Sequence, residues 1–197
     1  SRKPRDAQRP FHDPGQDPEG PAMSEQDPAV PGRRVAKGAQ FDLITQPVDL
    51  PNGQRVELDL LRHPGASAVV PFLDSETVLL IRQYRFATGG DLMEIPAGKL
   101  DPGESPEACA ARELEEETGY RPGRLEKLGA IWTTPGFCDE VIHLYAAFDL
   151  EKTEQRLEPD EVIELVPMPF AEALDSLSGP VVDGKTATAL LLADRAK

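Results

Sequence analysis

The stretch GKLDPGESPEACAARELEEETGY, residues 98–120, constrains the fold of this chain more than any other. A glycine-bounded loop, Gly98 to Gly103, leads into a segment with complete helix punctuation. Ser105 is a good N-cap, Pro106 stands at the first helical position and Gly119 is the expected stop, so the spacing predicts a helix over 106–118. On that helix Glu113, Glu116 and Glu117 stand at i, i+3 and i+4, within an arc of about 100°. Ala110 and Leu114 border the arc and can pack inward, while Glu115 points the other way. Like charges so placed repel by about 0.2–0.5 kcal/mol per pair when exposed, and by more when buried. Two arrangements accommodate them: a solvated acidic face, or one wall of a cation site. Here the arc borders the apolar seam instead of lying opposite it, and a further carboxylate, Glu104, sits just before the helix. Both features favour the cation site. Hard divalent ions take oxygen ligands, and Mg²⁺ would relieve the repulsion and let an acidic protein hold a polyanionic phosphate ester.

The remaining sequence narrows the class. The chain has 197 residues and a formal charge of −14, which argues against a nucleic-acid backbone or an anionic membrane surface as partner. No run approaches the 18 or so apolar residues of a membrane span, and no signal-peptide core is visible. Two cysteines, Cys109 and Cys138, exclude a disulfide scaffold and fit the reducing cytoplasm; both read as small fillers. Residues 1–36 hold seven of the twenty prolines, with six basic and six acidic side chains, and read as a disordered tail. Met23-Ser24-Glu25 resembles a start of translation, so the residues before it are expected to be added or over-extended sequence. All the net charge then belongs to a single domain over 37–197.

Within that domain, Asn52-Gly53 between extended runs at 41–45 and 55–60 predicts a β-hairpin. Residues 68–72, 77–81, 92–95, 125–132, 141–148 and 162–166 read as strands, and two helices are expected near 169–177 and 184–195. No internal repeat is visible. Strands outnumber helices and mostly pair locally, so the expected class is α+β with a mixed sheet.

The spacing of residues 98–120 resembles the Nudix box at every defining position: Gly98, five residues, Glu104, seven residues, Arg112-Glu113-Leu114, one residue, Glu116-Glu117, one residue, Gly119-Tyr120. The resemblance extends over roughly residues 40–190. It implies an α/β/α sandwich around a mixed sheet, with the box as a loop–helix–loop and the hairpin as an N-terminal extension. Gln83-Tyr84-Arg85, Met93-Glu94-Ile95-Pro96-Ala97-Gly98 and Pro135-Gly136-Phe137 are similar to the ADP-ribose pyrophosphatase branch, with Pro135 fifteen residues past the box. This implies hydrolysis of the pyrophosphate bond of ADP-ribose to AMP and ribose 5-phosphate. The same chemistry on nucleotide sugars, diadenosine polyphosphates or FAD is the alternative. A Nudix-fold sensor that binds ADP-ribose without cleaving it is a third reading, disfavoured by the intact box.

The resemblance also assigns roles. Glu113, Glu116 and Glu117, with the backbone carbonyl of Ala97, match positions that bind Mg²⁺, for which Mn²⁺ or another divalent cation could substitute. Glu104 reads as a supporting group, and Arg112 as the arginine that orients the glutamates. The general base is expected in the loop 157–164, with Glu161 as first choice and Glu164 behind it; an ordinary acidic loop is the bland reading. Arg85, Glu94, Pro135 and Gly136 match substrate-contacting positions, and Arg62 either touches phosphate or forms a surface salt bridge. Trp132 could stack on adenine, although its apolar strand favours a core role. His143 reads as a satisfied sheet histidine. The branch implies a homodimer in which the hairpin at 40–62 packs across the interface.

Overall fold

The computed structural model describes residues 33–37, 41–179 and 182–196. Strands β1 (Arg33–Lys37), β2 (Asp42–Asp49) and β3 (Arg55–Arg62) come first. Then follow β4 (Ala66–Pro71), β5 (Thr77–Arg85), β6 (Gly90–Glu94), β7 (Ala97–Lys99) and helix α1 (Pro106–Thr118). The second half holds β8 (Tyr120–Arg121), β9 (Arg124–Trp132), β10 (Val141–Phe148), β11 (Glu151–Lys152) and β12 (Ile163–Pro169). Helices α2 (Phe170–Asp175) and α3 (Gly184–Ala196) complete it.

The central sheet runs β7–β4–β10–β9. β4 and β10 are parallel while β7 and β9 pair antiparallel at the flanks, so the sheet is mixed. Strand alternation sorts its side chains onto two faces. Ala66, Ala68, Val70, Ile142, Leu144 and Ala146 join Phe170, Ala173, Ala189 and Leu190 from α2 and α3 in the larger core. Val69, Tyr145 and Ala147 point the opposite way and meet Ala110 and Leu114 of α1. The result is an α+β sandwich with α1 on one face and α2 and α3 on the other. A second sheet, β12–β5–β6, adds Val78 and Leu80 to the larger core. Phe72 closes it by stacking on Phe148 at 5.1 Å and tilting against Phe170 at 5.3 Å.

The helix expected over 106–118 has those bounds. Ser105 Oγ accepts the Ala108 N–H at 3.2 Å, and Gly119 ends the helix with φ at +70°. The hairpin also forms, with Gly53 at φ +82° in its turn, and β1 extends it into a three-stranded sheet. β1 includes Arg33–Ala36, which the composition assigned to the tail; pairing with β2 and the Arg34–Asp42 salt bridge at 2.7 Å draw these residues into the sheet. The proposed start at Met23 lies outside the described residues. β7, β8 and β11 are two or three residues long and carry no periodicity that a sequence could show. Trp132 corrects an expectation: it ends β9 at 58% exposure and belongs to no core. No described helix is long and apolar enough to cross a membrane.

The start of α1 is pinned to the sheet by Ser67 Oγ, which donates to the Pro106 carbonyl at 2.7 Å. Its end is pinned by the chain after β11, where Thr153 N–H donates to the Gly119 carbonyl at 2.7 Å. A Cβ on Gly119 would stand 2.9 Å from the Gln155 nitrogen, in a left-handed conformation that L side chains rarely adopt. Gly119→Ala is therefore expected to cost about 1–3 kcal/mol, read as a lower urea midpoint at unchanged m.

Candidate functional site

The buried stripe of α1 reads Cys109, Ala110, Glu113, Leu114, Glu117 and Thr118. Two glutamates therefore occupy positions that the helical repeat reserves for the core. Glu117 is 2% exposed, and its Oε2 accepts the Ala97 N–H at 3.0 Å. Burial first, then the Glu113 charge, push the Glu117 carboxyl well above its ordinary range against that hydrogen bond. Burial also raises Glu113, against the pull of Arg112. Gly98 makes the approach of Glu113 possible, because a Cβ there would run into its carboxylate.

Arg112 holds the cluster together. Its Nε and Nη2 form a fork on the two Glu104 oxygens, each at 2.8 Å. Its Nη1 reaches Glu113 at 2.6 Å and Glu116 at 3.2 Å, and Nη2 also donates to the Lys99 carbonyl at 3.0 Å. The hydrogen bond to Glu104 does most to keep this guanidinium charged. Glu104 thus serves as an anchor for Arg112, and its own carboxyl lies below its ordinary range for that reason.

The side chains beside Ala97 and Gly98 at the edge of β7 are oxygen donors, the carboxylates of Glu117 and Glu113. That chemistry fits a hard divalent cation. Among the described residues no three acidic, histidine or cysteine side chains converge into a closed cage. Glu113 and Glu116 are both engaged by Arg112 Nη1.

Other predicted residues are sorted by the same geometry. Arg85 and Glu94 form a two-pronged pair, both contacts at 2.8 Å, with Glu94 1% exposed. Burial opposes the Glu94 charge, but Arg85 and Lys185 outweigh it and hold the carboxyl below its ordinary range. The Arg85 charge also works against the upward shift of the Glu117 carboxyl. Glu161 also acts on both Glu113 and Glu117. Its Oε2 accepts the Glu158 N–H at 2.8 Å, within the loop itself. Glu164 instead is exposed on β12 and paired with Arg82 at 2.6 Å. Arg62 is engaged by Asp139 at 2.8 Å, so of its two readings the salt bridge is the one seen. Pro135 and Gly136 lie on an exposed loop whose ends, Phe137 and Asp139, bond to Leu61 of β3. His143 sits mid-sheet between Ser67 and Ala130. Cys109 is buried with its thiol pushed up to about 12, as expected of a filler.

Sequence reasoning missed two supports. The chain at 153–161 is moored to the end of α1: Gln155 Nε2 donates to the Glu117 carbonyl at 2.7 Å and Arg156 N–H to that of Glu116 at 2.8 Å. Glu115, facing away from the cluster, pairs with Arg121 at 3.0 Å and Arg156 at 3.6 Å and reinforces the mooring. The second support is Lys185, which contacts Glu94 from α3. The run Asp183-Gly184-Lys185-Thr186 carried a signal, an N-cap aspartate before a helix, but nothing in it pointed across the fold to β6.

The NUDIX domain profile matches residues 61–189. The chain is 38% identical to an ADP-ribose pyrophosphatase of Bacillus subtilis (strain 168) over 170 residues, covering 85% of this chain and 92% of that protein. It is 41% identical over 160 residues to a methanol dehydrogenase activator of Bacillus methanolicus, covering 80% and 86% of the two. A GDP-mannose pyrophosphatase of Yersinia enterocolitica is 40% identical over 159 residues, covering 74% and 80%. A solved ADP compounds hydrolase superposes with a TM-score of 0.75 at 27% identity, covering 84% of this chain and 90% of that one. With its box folded as α1 against β7 and the profile spanning most of the domain, the chain belongs to the Nudix family of hydrolases.

Proposed function

We propose that this protein hydrolyses the pyrophosphate bond of ADP-ribose, giving AMP and ribose 5-phosphate, with Mg²⁺ as the first-choice cation. One observation carries the reading: Glu117, 2% exposed, accepts the Ala97 N–H at the edge of β7, where Glu113 also stands against Gly98. A buried carboxylate wall is therefore fixed against β7, and the loop that carries Glu161 is moored to the same helix. Glu113, Glu116, Glu117 and the Ala97 carbonyl would hold the divalent ion, which when bound polarises phosphoryl oxygens and lowers the pKa of water. Glu161, released from the Glu158 N–H, takes the proton of the attacking water as general base. Arg85 meets the diphosphate, with Nε and Nη2 occupied by Glu94 and its outer edge turned to substrate. Arg112 keeps Glu113 and Glu116 aimed. A second reading, the same reaction on a nucleotide sugar, draws on the likeness to GDP-mannose pyrophosphatases. Two free cysteines suit a cytoplasmic enzyme.

The sheet β1–β3 leaves Val35 and Leu58 exposed, with Phe41 exposed just before β2, and we read it as the contact surface of a homodimer. Light scattering at micromolar concentration should give twice the chain mass; a monomer would remove the dimer from this reading.

Glu117→Gln and Glu161→Gln should each lower turnover of ADP-ribose by about 100-fold or more. Glu117→Gln should keep or raise Tm without added cation, because a buried amide costs less than a buried carboxylate. Mg²⁺ should raise the Tm of the wild type and not of this variant. Full turnover in Glu117→Gln would sink the cation assignment, and an unchanged rate in Glu161→Gln would move the base elsewhere. Gly98→Ala should displace the Glu113 carboxylate with little loss of Tm, cutting activity by about tenfold or more. A panel of ADP-ribose, GDP-mannose, diadenosine polyphosphates and FAD, read by product analysis, separates the substrate readings.

A further inference from the structure

The start of α3 is built into the substrate side of the site. Lys185 is only 11% exposed at its side chain, and its Nζ lies between Glu94 Oε2 and Asp183 Oδ2, the latter at 3.0 Å. Asp183 is also the N-terminal cap of the helix, accepting from Thr186 N–H at 2.9 Å and Thr186 Oγ1 at 2.6 Å. The same Thr186 Oγ1 accepts the N–H of Ile95, the residue after Glu94, at 2.9 Å. One helical turn therefore fixes both the backbone and the carboxylate at the end of β6. Glu94 Oε2 is shared between Lys185 Nζ and Arg85 Nη2, and Oε1 takes Arg85 Nε. Two cations and two carboxylates balance in this network.

We propose that Lys185 is the positioning residue that aims Arg85 at the substrate diphosphate, acting through Glu94. This rests on the reading above that Arg85 meets the diphosphate. With Lys185 present, Glu94 keeps its charge and needs only two nitrogens of Arg85, so the outer edge of the guanidinium stays available. Without it, Glu94 and Asp183 are left with one cation between them. Arg85 is then drawn inward toward both carboxylates and loses its aim. Lys185 itself is committed to two carboxylates, so its effect reaches substrate only through them.

The test is a kinetic split on the purified full chain with ADP-ribose and Mg²⁺. Lys185→Met should raise KM by about tenfold while kcat changes by less than about threefold, the signature of lost uniform binding. Lys185→Arg should recover most of that loss. Leu190→Ala, which loosens the same helix in the core without touching the network, should lower Tm and leave KM within about twofold. If Lys185→Met behaves like Leu190→Ala, with lower Tm and wild-type KM, Lys185 is merely structural and the proposal is overturned. Should Lys185→Met not fold, Asp183→Asn keeps a capping acceptor but removes one anchor of Lys185. A raised KM there supports the proposal and an unchanged KM overturns it. A wild type that fails to cleave ADP-ribose refutes the substrate reading instead; wild-type cleavage with an indifferent Lys185→Met refutes this inference alone.

Discussion

Two like-charged carboxylates buried on one helix face set the terms for the rest of this structure. Glu113 and Glu117 stand one turn apart in the inward stripe of α1, where the helix would otherwise present apolar side chains to the sheet. Leu114 and Ala110 lock the same helix face into the core, so the helix cannot turn its two carboxylates out to water. The repulsion is therefore held in place by packing, and other groups must make it tolerable. Arg112 neutralises one side, and the Ala97 N–H supplies a fixed donor to the other. What remains is a preorganised demand for positive charge, the property that an ion-binding hydrolase needs before its substrate arrives.

Much of the surrounding architecture can be read as what keeps that demand in place. Ser67 fixes the start of α1 and the moored segment 153–156 fixes its end, so the helix cannot slide and carry its carboxylates away from β7. The mooring also sets where the following loop, with Glu161, emerges relative to Glu117. Glu115 takes its part here: the glutamate that faces away from the cluster holds Arg121 and Arg156. The run of three glutamates thus divides its labour by helical angle, with two residues aimed at the site and one at the loop behind it.

This division explains what could be read from the chain and what could not. Helix α1 was legible because its caps and its spacing are local, and local signals survive without a partner. The hairpin was legible for the same reason. The Arg85–Glu94 pair was reachable only through a family motif, and Lys185 was not reachable at all, since residues 94 and 185 meet only when α3 docks beside β6. Trp132 went the other way. Its apolar neighbours Ile131 and Leu128 pack on the core, but strand alternation at the end of β9 turns its own ring outward. β1 escaped because pairing, not composition, makes it a strand.

The separation of chemistry from recognition follows from the same geometry. The charged groups of the candidate site are braced from more than one element: α1 with β7 on one side, α3 with β6 on the other. The rings of Trp132, Phe137, Phe86 and Tyr84 are exposed instead. Braced groups tolerate little change, because each substitution strands a buried charge. Exposed rings can be exchanged at small cost to stability. A family built this way can keep one reaction while its members turn from ADP-ribose to GDP-mannose, as the names of the relatives do. The helix that carries Lys185 thus belongs to the brace on Glu94 and Arg85 as much as to the core.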